Sequence, residues 1–312
     1  MKLGVLFAGQ GAQKPGMGKS LYDNVEASHR IFESAEEIVP GITELCFSGP
    51  QDKLNETIHT QPCVYTVDCA CWAAFSTLGV RPAVGAGFSL GEYAALYAAS
   101  VFSFETGLRI VCKRAEYMQA AAELHPGSMA AVLGLEAHEV EEVVSLIRGQ
   151  GVLSPVNYNC PGQTVVAGDV AEMDSLIAYA KEHRIKVAPL ATSGAFHSER
   201  MQDAAARTGQ VIQAETFSEP EFVLYANQTG LPYDTAAMKQ TLEKQTSNPV
   251  LFEQILRGML QDGCDVFVEL GPGKTLAGFL KRIDRKARAY NLNDYAALEQ
   301  LRDVLQSGGN DG

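Results

Sequence analysis

The sequence predicts an α/β protein in which a small βαββαβ unit is inserted into a larger domain with a parallel sheet. Short apolar strands alternate with longer helical patterns in both end regions of the 312-residue chain, an order typical of parallel sheets covered by helices. Between Gly127 and Ala191 the rhythm changes to strand, helix, two strands, helix and strand, which is the ferredoxin-like order. The predicted domains are therefore residues 1–126 with 192–312, and residues 127–191.

The larger domain is predicted from segments on both sides of the insertion. The predicted strands are LGVLF (3–7), AVGAGF (83–88), FVLYAN (222–227) and DVFVEL (265–270), and the predicted helices cover 20–38, 90–100, 104–123, 198–212 and 294–305. Each strand is a short apolar run, and each helix has apolar residues at helical spacing. We expect a ligand site in the cleft between the larger domain and the insertion, because clefts between domains are common binding sites.

The inserted unit shows its six elements in order. The predicted strands are 128–135, 152–159, 163–168 and 185–190, and the predicted helices are 138–150 and 170–184. Pro161 and Gly162 lie between the two central strands, where Pro-Gly is typical of a turn.

Composition narrows the class of function. With 46% hydrophobic and 20% charged residues, the chain has the balance of a globular protein, and it has no apolar run long enough to span a membrane. The net charge of −12 disfavours nucleic-acid binding. Seven cysteines without a CxxC pair or metal-ligand spacing indicate reduced thiols, no metal site and a cytoplasmic location.

A candidate nucleophile lies between the second strand and its helix. Residues 87–91 read Gly-Phe-Ser-Leu-Gly, which fits the G-x-S-x-G elbow in the strand-to-helix position that this motif requires. The following helix would direct backbone N–H groups towards Ser89, where they can stabilise an oxyanion. The alternative is a serine that merely caps a helix.

Two further residues are candidates for the chemistry. His197 follows a small-residue turn and begins a helix; a helix N-terminus disfavours imidazolium, so the ring would remain able to accept a proton from Ser89. Arg114 has the apolar neighbours Ile110, Met118 and Ala121 on one helix face. A buried guanidinium requires an anionic partner, either an internal carboxylate or the carboxylate of a substrate.

These residues lie in motifs that resemble a known family, the malonyl-CoA:acyl carrier protein transacylases and related acyltransferase domains. The similar segments are FAGQGAQ (7–13), TQPCVY (60–65), GFSLGEYAAL (87–96), NYNCPGQTVVAG (157–168), GAFHS (194–198) and VELGPGKTL (268–276). They cover nearly the whole chain in the family's order. The resemblance implies an α/β-hydrolase-like domain that carries a ferredoxin-like insertion.

The resemblance also implies roles for individual residues. Ser89 would be acylated and His197 would be its general base, while the backbone amides of Gln10 and Leu90 would form the oxyanion hole. Among the residues of the substrate site, Arg114 would bind the malonyl carboxylate and Phe196 would leave little room for a branched acyl group. Gln245 matches the family's glutamine near the histidine, whose imidazole is held by a main-chain carbonyl. Phe88 replaces the histidine that more often precedes the nucleophile.

The implied reaction transfers a malonyl group from malonyl-CoA to the thiol of an acyl carrier protein through an ester on Ser89. It would need no cofactor, and coenzyme A enters as part of the substrate. Fatty-acid synthesis is the default pathway, and a free-standing polyketide acyltransferase is the close alternative. A thioesterase would use Ser89 and His197 in the same way but release the acyl group to water. A non-catalytic docking module would not need either side chain.

Overall fold

The computed structural model describes residues 2–192 and 194–307. The strands are β1 Leu3–Phe7, β2 Val84–Gly87, β3 Gly127–Leu133, β4 Leu153–Cys160, β5 Gln163–Asp169, β6 Lys186–Pro189, β7 Val223–Leu224, β8 Val266–Leu270 and β9 Arg288–Leu292. The helices are α1 Lys19–Asn24, α2 Glu26–Ile38, α3 Ile42–Ser48, α4 Gln51–Leu54, α5 Thr57–Ser76, α6 Gly91–Ala98, α7 Phe104–Leu124, α8 Ala137–Ile147, α9 Val170–His183, α10 Gln202–Ala214, α11 Met238–Lys244, α12 Phe252–Gln261, α13 Thr275–Ile283 and α14 Tyr295–Ser307. Three short 3₁₀ helices lie at Glu199–Met201, Thr235–Ala237 and Gln245–Ser247.

Residue contacts divide the chain into two compact units. The first contains Met1–Cys112, Thr216–Tyr225 and Gly258–Gly312, and the second contains Lys113–Glu215 and Ala226–Arg257. The second unit includes the whole βαββαβ segment together with flanking helices. The domain limits predicted from the sequence delimit that segment alone, and they stay a prediction.

The first unit is built on a five-stranded sheet with the order β7-β2-β1-β8-β9, and all of its strand pairs are parallel. Phe7 at the end of β1 lies opposite Gly87 on β2 and Leu270 on β8. The carboxyl ends of the three central strands are therefore level. The loops that follow these strands emerge at one edge of the sheet, where ligand sites of open α/β sheets are found.

The second unit is built on a four-stranded antiparallel sheet with the order β4-β5-β3-β6. Alternate residues of its strands face opposite sides, as the pleat of a strand requires. Ala130, Val132 and Val166 pack against α8 and α9. Met129, Ala131 and Val165 pack in another cluster with residues of α7 and α10. The sheet is thus covered on both faces.

The fold class predicted from the sequence is confirmed. The parallel sheet and the ferredoxin-like strand order are both present. Two element predictions were wrong in detail, and several elements, such as α5, α12 and α13, were not predicted. The helix predicted over 20–38 is interrupted at Val25, whose backbone is extended. The strand predicted over 222–227 has only two residues, and β9 was not predicted. Within the described residues, no helix has both the length and the apolar character needed to cross a membrane.

Candidate active site

Ser89 lies in a sharp turn between β2 and α6, as the elbow motif predicts. Its backbone is left-handed, with φ of 50°. The turn is closed by two hydrogen bonds, because the amide of Gly91 donates to the Phe88 carbonyl at 3.0 Å and the amide of Glu92 donates to the Ser89 carbonyl at 3.1 Å. Ser89 is 9% exposed. The motif therefore forms the strand–turn–helix geometry that presents a serine at the end of a sheet.

The two glycines of the motif are required by close backbone contacts. A Cβ on Gly87 would lie 1.9 Å from the carbonyl carbon of Gly91, and a Cβ on Gly91 would lie 2.3 Å from the Phe7 carbonyl oxygen. Real Cβ atoms do not approach backbone atoms so closely. Any larger residue at either position would force α6 away from the strand ends, and the turn at Ser89 would change with it.

The loop after β1 brings Gln10 to the same edge of the sheet. The Gln10 side chain is held on both ends, because its Nε2 donates to Thr57 Oγ1 at 3.3 Å and its Oε1 accepts from Gln61 Nε2 at 3.4 Å. A Cβ on the preceding Gly9 would lie 2.5 Å from the Phe88 carbonyl oxygen, so this loop touches the elbow directly. Leu90 is the N-cap of α6, where backbone amides lack partners within the helix.

Phe88 packs beside α13. Its ring centroid lies 6.1 Å from that of Phe279. Together with Gln10, Glu269 and other residues of these loops it lines a cavity of about 140 Å³. The aromatic ring is accommodated at the elbow, and no imidazole nitrogen is available at this position.

His197 has the second left-handed backbone among the candidate site residues, with φ of 63°. Its ring is buried and its Nδ1 lies 3.0 Å from the Gln245 carbonyl oxygen and 3.2 Å from the Asn248 carbonyl oxygen. Carbonyls only accept hydrogen bonds, so Nδ1 carries the proton and Nε2 is left as the basic nitrogen. The imidazole is therefore oriented by main-chain carbonyls, as the family resemblance implied.

Burial keeps the His197 ring neutral. Desolvation is the main cause that lowers the pKa of His197 to about 4, and the positive charge of Arg114 lowers this pKa further. The two carbonyls oppose the shift because they stabilise the protonated ring. The sequence analysis attributed a neutral His197 ring to the N-terminus of a helix. A 3₁₀ helix, Glu199–Met201, does follow His197, but the causes of the low pKa are burial and the charge of Arg114.

The carbonyls that orient His197 are anchored to the antiparallel sheet. Gln245 begins a 3₁₀ helix that ends before Asn248. Two residues later, the amide of Val250 donates to the Val156 carbonyl at 2.8 Å, and the amide of Tyr158 donates to the Val250 carbonyl at 2.9 Å. Because Val156 and Tyr158 belong to β4, these bonds tie the turn to the sheet edge.

Arg114 lies on α7 and is 1% exposed. Its Nη2 donates to the side-chain Oε1 of Gln245 at 3.0 Å. One and two turns further along α7, Met118 and Ala122 pack into the apolar cluster of the sheet face, and Phe196 belongs to the same cluster. Packing of the helix therefore places a buried guanidinium beside the segment that holds His197.

The predicted residues thus fall into two groups. Gln10, Phe88, Ser89 and Leu90 lie in the first unit, whereas Arg114, Phe196, His197 and Gln245 lie in the second. Two contributing residues were missed by the sequence analysis, namely Gln61, which contacts Gln10, and Asn248, which contacts His197. The presence of Gln61 in the TQPCVY segment was a usable signal, whereas a main-chain contact such as that of Asn248 leaves none in the residue type.

Comparisons with known proteins show the family to which the chain belongs. A family model described as acyl transferase domain matches residues 5–301. The chain is 36% identical over 309 residues to a malonyl CoA-acyl carrier protein transacylase of Bacillus subtilis, with 98% of each chain covered. The crystal structure of a transacylase of the same name from Clostridium perfringens has a TM-score of 0.94 and 35% identity, covering 99% of this chain and 98% of that one.

A second similar structure is a complex of a type II polyketide acyl carrier protein with its malonyl-transacylase. It has a TM-score of 0.94 and 30% identity, and it covers 97% of this chain and 100% of that one. The fold, the elbow at Ser89 and these matches over nearly the full length lead to one conclusion. The chain belongs to the malonyl-CoA:acyl carrier protein transacylases of the acyl transferase domain family, and it is an acyltransferase.

Proposed function

We propose that this enzyme transfers a malonyl group from malonyl-CoA to the phosphopantetheine thiol of an acyl carrier protein. The observation that carries the proposal is the buried Arg114 guanidinium, which donates to the neutral amide of Gln245 next to the His197 ring. A buried guanidinium recognises a carboxylate by parallel hydrogen bonds. Malonyl carries such a carboxylate, whereas acetyl does not.

The reaction proceeds in two halves through a malonyl ester on Ser89. His197 Nε2 takes the proton of the Ser89 hydroxyl as its oxygen attacks the thioester carbonyl. The C–S bond then breaks, and coenzyme A leaves as a thiol with that proton. In the second half the carrier thiol gives its proton to His197 and attacks the ester, and the proton returns to Ser89 as its C–O bond breaks.

The backbone amides of Gln10 and Leu90 would stabilise the tetrahedral intermediates. Both belong to loops at the carboxyl edge of the parallel sheet, and the contact between Gly9 and Phe88 keeps these loops together. Amides fixed before the reaction stabilise an oxyanion without reorganisation. Acyl exchange between a thioester and an ester changes no oxidation state, and Ser89 and His197 supply the nucleophile and the base, so we propose that neither a redox cofactor nor a metal takes part.

The proposal also includes a pathway and a location in the cell. Fatty-acid synthesis is the first assignment, and the similar transacylase bound to a polyketide carrier makes polyketide synthesis the specific alternative. The described cysteines are all free thiols, which favours a compartment that keeps thiols reduced. We therefore place the enzyme in the cytoplasm.

Intact-mass spectrometry tests the proposal. The protein mixed with malonyl-CoA should gain the mass of one malonyl group, and addition of a carrier protein bearing phosphopantetheine should move that mass to the carrier. Ser89→Ala should gain none, because the attacking oxygen is absent. A malonyl group found on a cysteine would show the nucleophile to be wrong. Loss of the label to water as fast as to the carrier would indicate a thioesterase.

A further inference from the structure

Gln245 contacts two site residues of the second unit, Arg114 and His197, through different atoms. Its side-chain Oε1 accepts from Arg114 Nη2 at 3.0 Å, and its main-chain carbonyl accepts from His197 Nδ1 at 3.0 Å. Gln245 itself is 1% exposed. A single buried residue therefore fixes the guanidinium and the imidazole in one arrangement.

Arg114 is the charged group that acts most directly on the His197 ring. On the segment after His197, Glu199 is paired with Arg148, and Arg200 is paired with Asp169. Lys244, which precedes Gln245, is exposed and is therefore screened by water. The Arg114 guanidinium is buried, and charges act strongly on one another where water is excluded.

We propose that Gln245 is a positioning residue that couples recognition of the acyl group to the strength of the general base. When a substrate carboxylate binds Arg114, it neutralises the charge that opposes protonation of His197, and the imidazole becomes a stronger base. An acyl group without a carboxylate leaves the charge in place and the base weak. The inference rests on the proposed function, in which Arg114 holds the malonyl carboxylate.

The coupling adds a second level of selectivity. Tight binding of malonyl to Arg114 would by itself lower KM, since it stabilises substrate and transition state alike. A base that strengthens only when the carboxylate is bound raises the rate of the acylation step as well. The enzyme would therefore discriminate against acetyl-CoA in kcat and not only in KM.

Titration of the His197 ring by NMR tests the coupling without turnover. The Ser89→Ala protein forms complexes that cannot react, and the His197 signal is assigned by its loss in a Ser89→Ala, His197→Gln variant. With coenzyme A or acetyl-CoA, the titration midpoint should stay low, near the value of the free protein. With saturating malonyl-CoA it should rise by about one pH unit, because an opposite charge now lies beside Arg114. Equal midpoints with acetyl-CoA and malonyl-CoA would overturn the proposal.

The role of Gln245 is tested by Gln245→Met. The substitution removes the side-chain acceptor of Arg114 and keeps the main-chain carbonyl that holds His197. We expect the rise in the His197 titration midpoint that malonyl-CoA causes to shrink by half or more. The His197 signal itself should remain that of a buried ring. A rise of unchanged size would show that Gln245 is not the coupling residue.

The intact-mass experiment separates failure of this inference from failure of the proposed function. If wild-type protein forms the malonyl ester but the two midpoints are equal, only the coupling is wrong. If malonyl-CoA raises the midpoint but no ester forms, the carboxylate site and the coupling stand, and the role of Ser89 is wrong.

Discussion

Ser89 and His197 share an unusual backbone conformation. Their φ angles of 50° and 63° lie in the left-handed region, which costs residues other than glycine on the order of 1 kcal/mol each. The surrounding contacts hold both residues there. Ser89 is held by the turn bonds and the close packing of Gly87 and Gly91. His197 is held by its own ring bonds and by the following Ser198, whose Oγ donates to the Ala195 carbonyl at 2.6 Å.

Arg114→Ala should reverse the preference between acyl groups. Malonyl transfer loses its carboxylate partner, and we expect its kcat/KM to fall by about 100-fold or more, in line with a charged hydrogen-bonded pair. Acetyl transfer should hold or rise, because the buried charge has gone. Both rates are measured with malonyl-CoA and acetyl-CoA and the same carrier.

Arg109→Ala is the matched control for this prediction. Arg109 lies on the same helix and is exposed, so both rates should remain within about twofold of wild type. A parallel fall in malonyl and acetyl transfer by Arg114→Ala would instead indicate that the guanidinium has only a structural role.

Phe88→His tests the position before the nucleophile. Phe88 packs against Phe279, and His197 is the base in the proposed mechanism. We therefore expect the variant to stay active and to change mainly the ratio of acyl groups accepted, whereas His197→Ala should lose Ser89 acylation almost completely. Intact mass after mixing with malonyl-CoA or acetyl-CoA gives both results. A gain in malonyl transfer of several orders of magnitude would indicate an enzyme adapted to another acyl donor.

At the scale of helices and strands, the sequence predicts most where the pattern is regular. The segment from β3 to β6 could be predicted almost completely, because its strands are short runs rich in apolar residues that lie between helical patterns, and Pro161-Gly162 lies at a tight turn. β9 was missed since it carries Arg288 and Asn291 and has no alternating apolar pattern. β7 is short because it pairs with β2 through two residues only. The length of such a strand depends on its pairing with a distant segment, which the local sequence does not show.

The same limit applies to the site. Ser89 and its glycines could be predicted from a local motif, because the turn is made by consecutive residues. The pairing of Arg114 with Gln245 joins residues 131 positions apart, and only the packed structure shows that a neutral amide lies at the guanidinium. The main-chain contact of Asn248 with His197 depends on backbone geometry, which residue types do not encode one by one.

Helix α5 buries an acidic side chain that the proposed chemistry does not use. Asp68 is fully buried, and within the described part of the chain neither carboxyl oxygen has a hydrogen-bond partner. A Cβ on Gly271 would lie 1.9 Å from Asp68 Oδ1, so the carboxyl lies against that glycine. Desolvation raises the pKa of Asp68 well above its usual range, and the nearby Glu269 adds to the effect.

Asp68 should therefore make the protein less stable as pH rises. Below about pH 4 the carboxyl is protonated in both the folded and the unfolded state. Above that pH the Asp68 carboxyl loses its proton in the unfolded chain but keeps it in the folded chain. The free energy of unfolding therefore falls with pH until the raised pKa of the folded state is passed. Asp68→Asn cannot ionise, and its Tm relative to wild type should increase between pH 5 and pH 8.

An exposed acid provides the control for the pH experiment. Asp174→Asn on α9 alters a residue in contact with solvent, so its Tm should follow the wild-type pH dependence. Thermal unfolding of the three proteins at matched ionic strength gives the comparison. If Asp68→Asn and wild type show the same slope of Tm against pH, then Asp68 is ionised in the folded protein.

At the scale of the whole molecule, the charge distribution is uneven. The chain has a net charge of −12, yet six basic residues lie close together in sequence at its C-terminal end, and we call this set the basic segment: Lys274, Lys281, Arg282, Arg285, Lys286 and Arg288. All six are exposed. Lys281 donates to the Ala287 carbonyl, and Arg288 pairs with Asp265.

The basic segment suits an acidic protein partner, and acyl carrier proteins are generally acidic. Opposite charges speed the encounter of two proteins and orient it. Arg285 and Lys286 follow α13 and are the best pair to change, because reversing them leaves the Lys281 and Arg288 contacts intact. We expect Arg285→Glu with Lys286→Glu to raise the KM for the carrier by about tenfold at low salt. The difference from wild type should shrink as salt increases, because exposed charges are screened.

The two half-reactions show whether this effect belongs to the carrier. Acylation of Ser89 by malonyl-CoA alone should proceed at the wild-type rate in the charge-reversed protein, since the carrier is absent from that step. A control with Lys53→Glu and Lys181→Glu makes the same change in net charge at exposed positions elsewhere. If this control raised the KM for the carrier equally, overall charge would be responsible. If the Arg285 and Lys286 changes slowed acylation by malonyl-CoA as much as transfer to the carrier, the basic segment would serve coenzyme A or the fold.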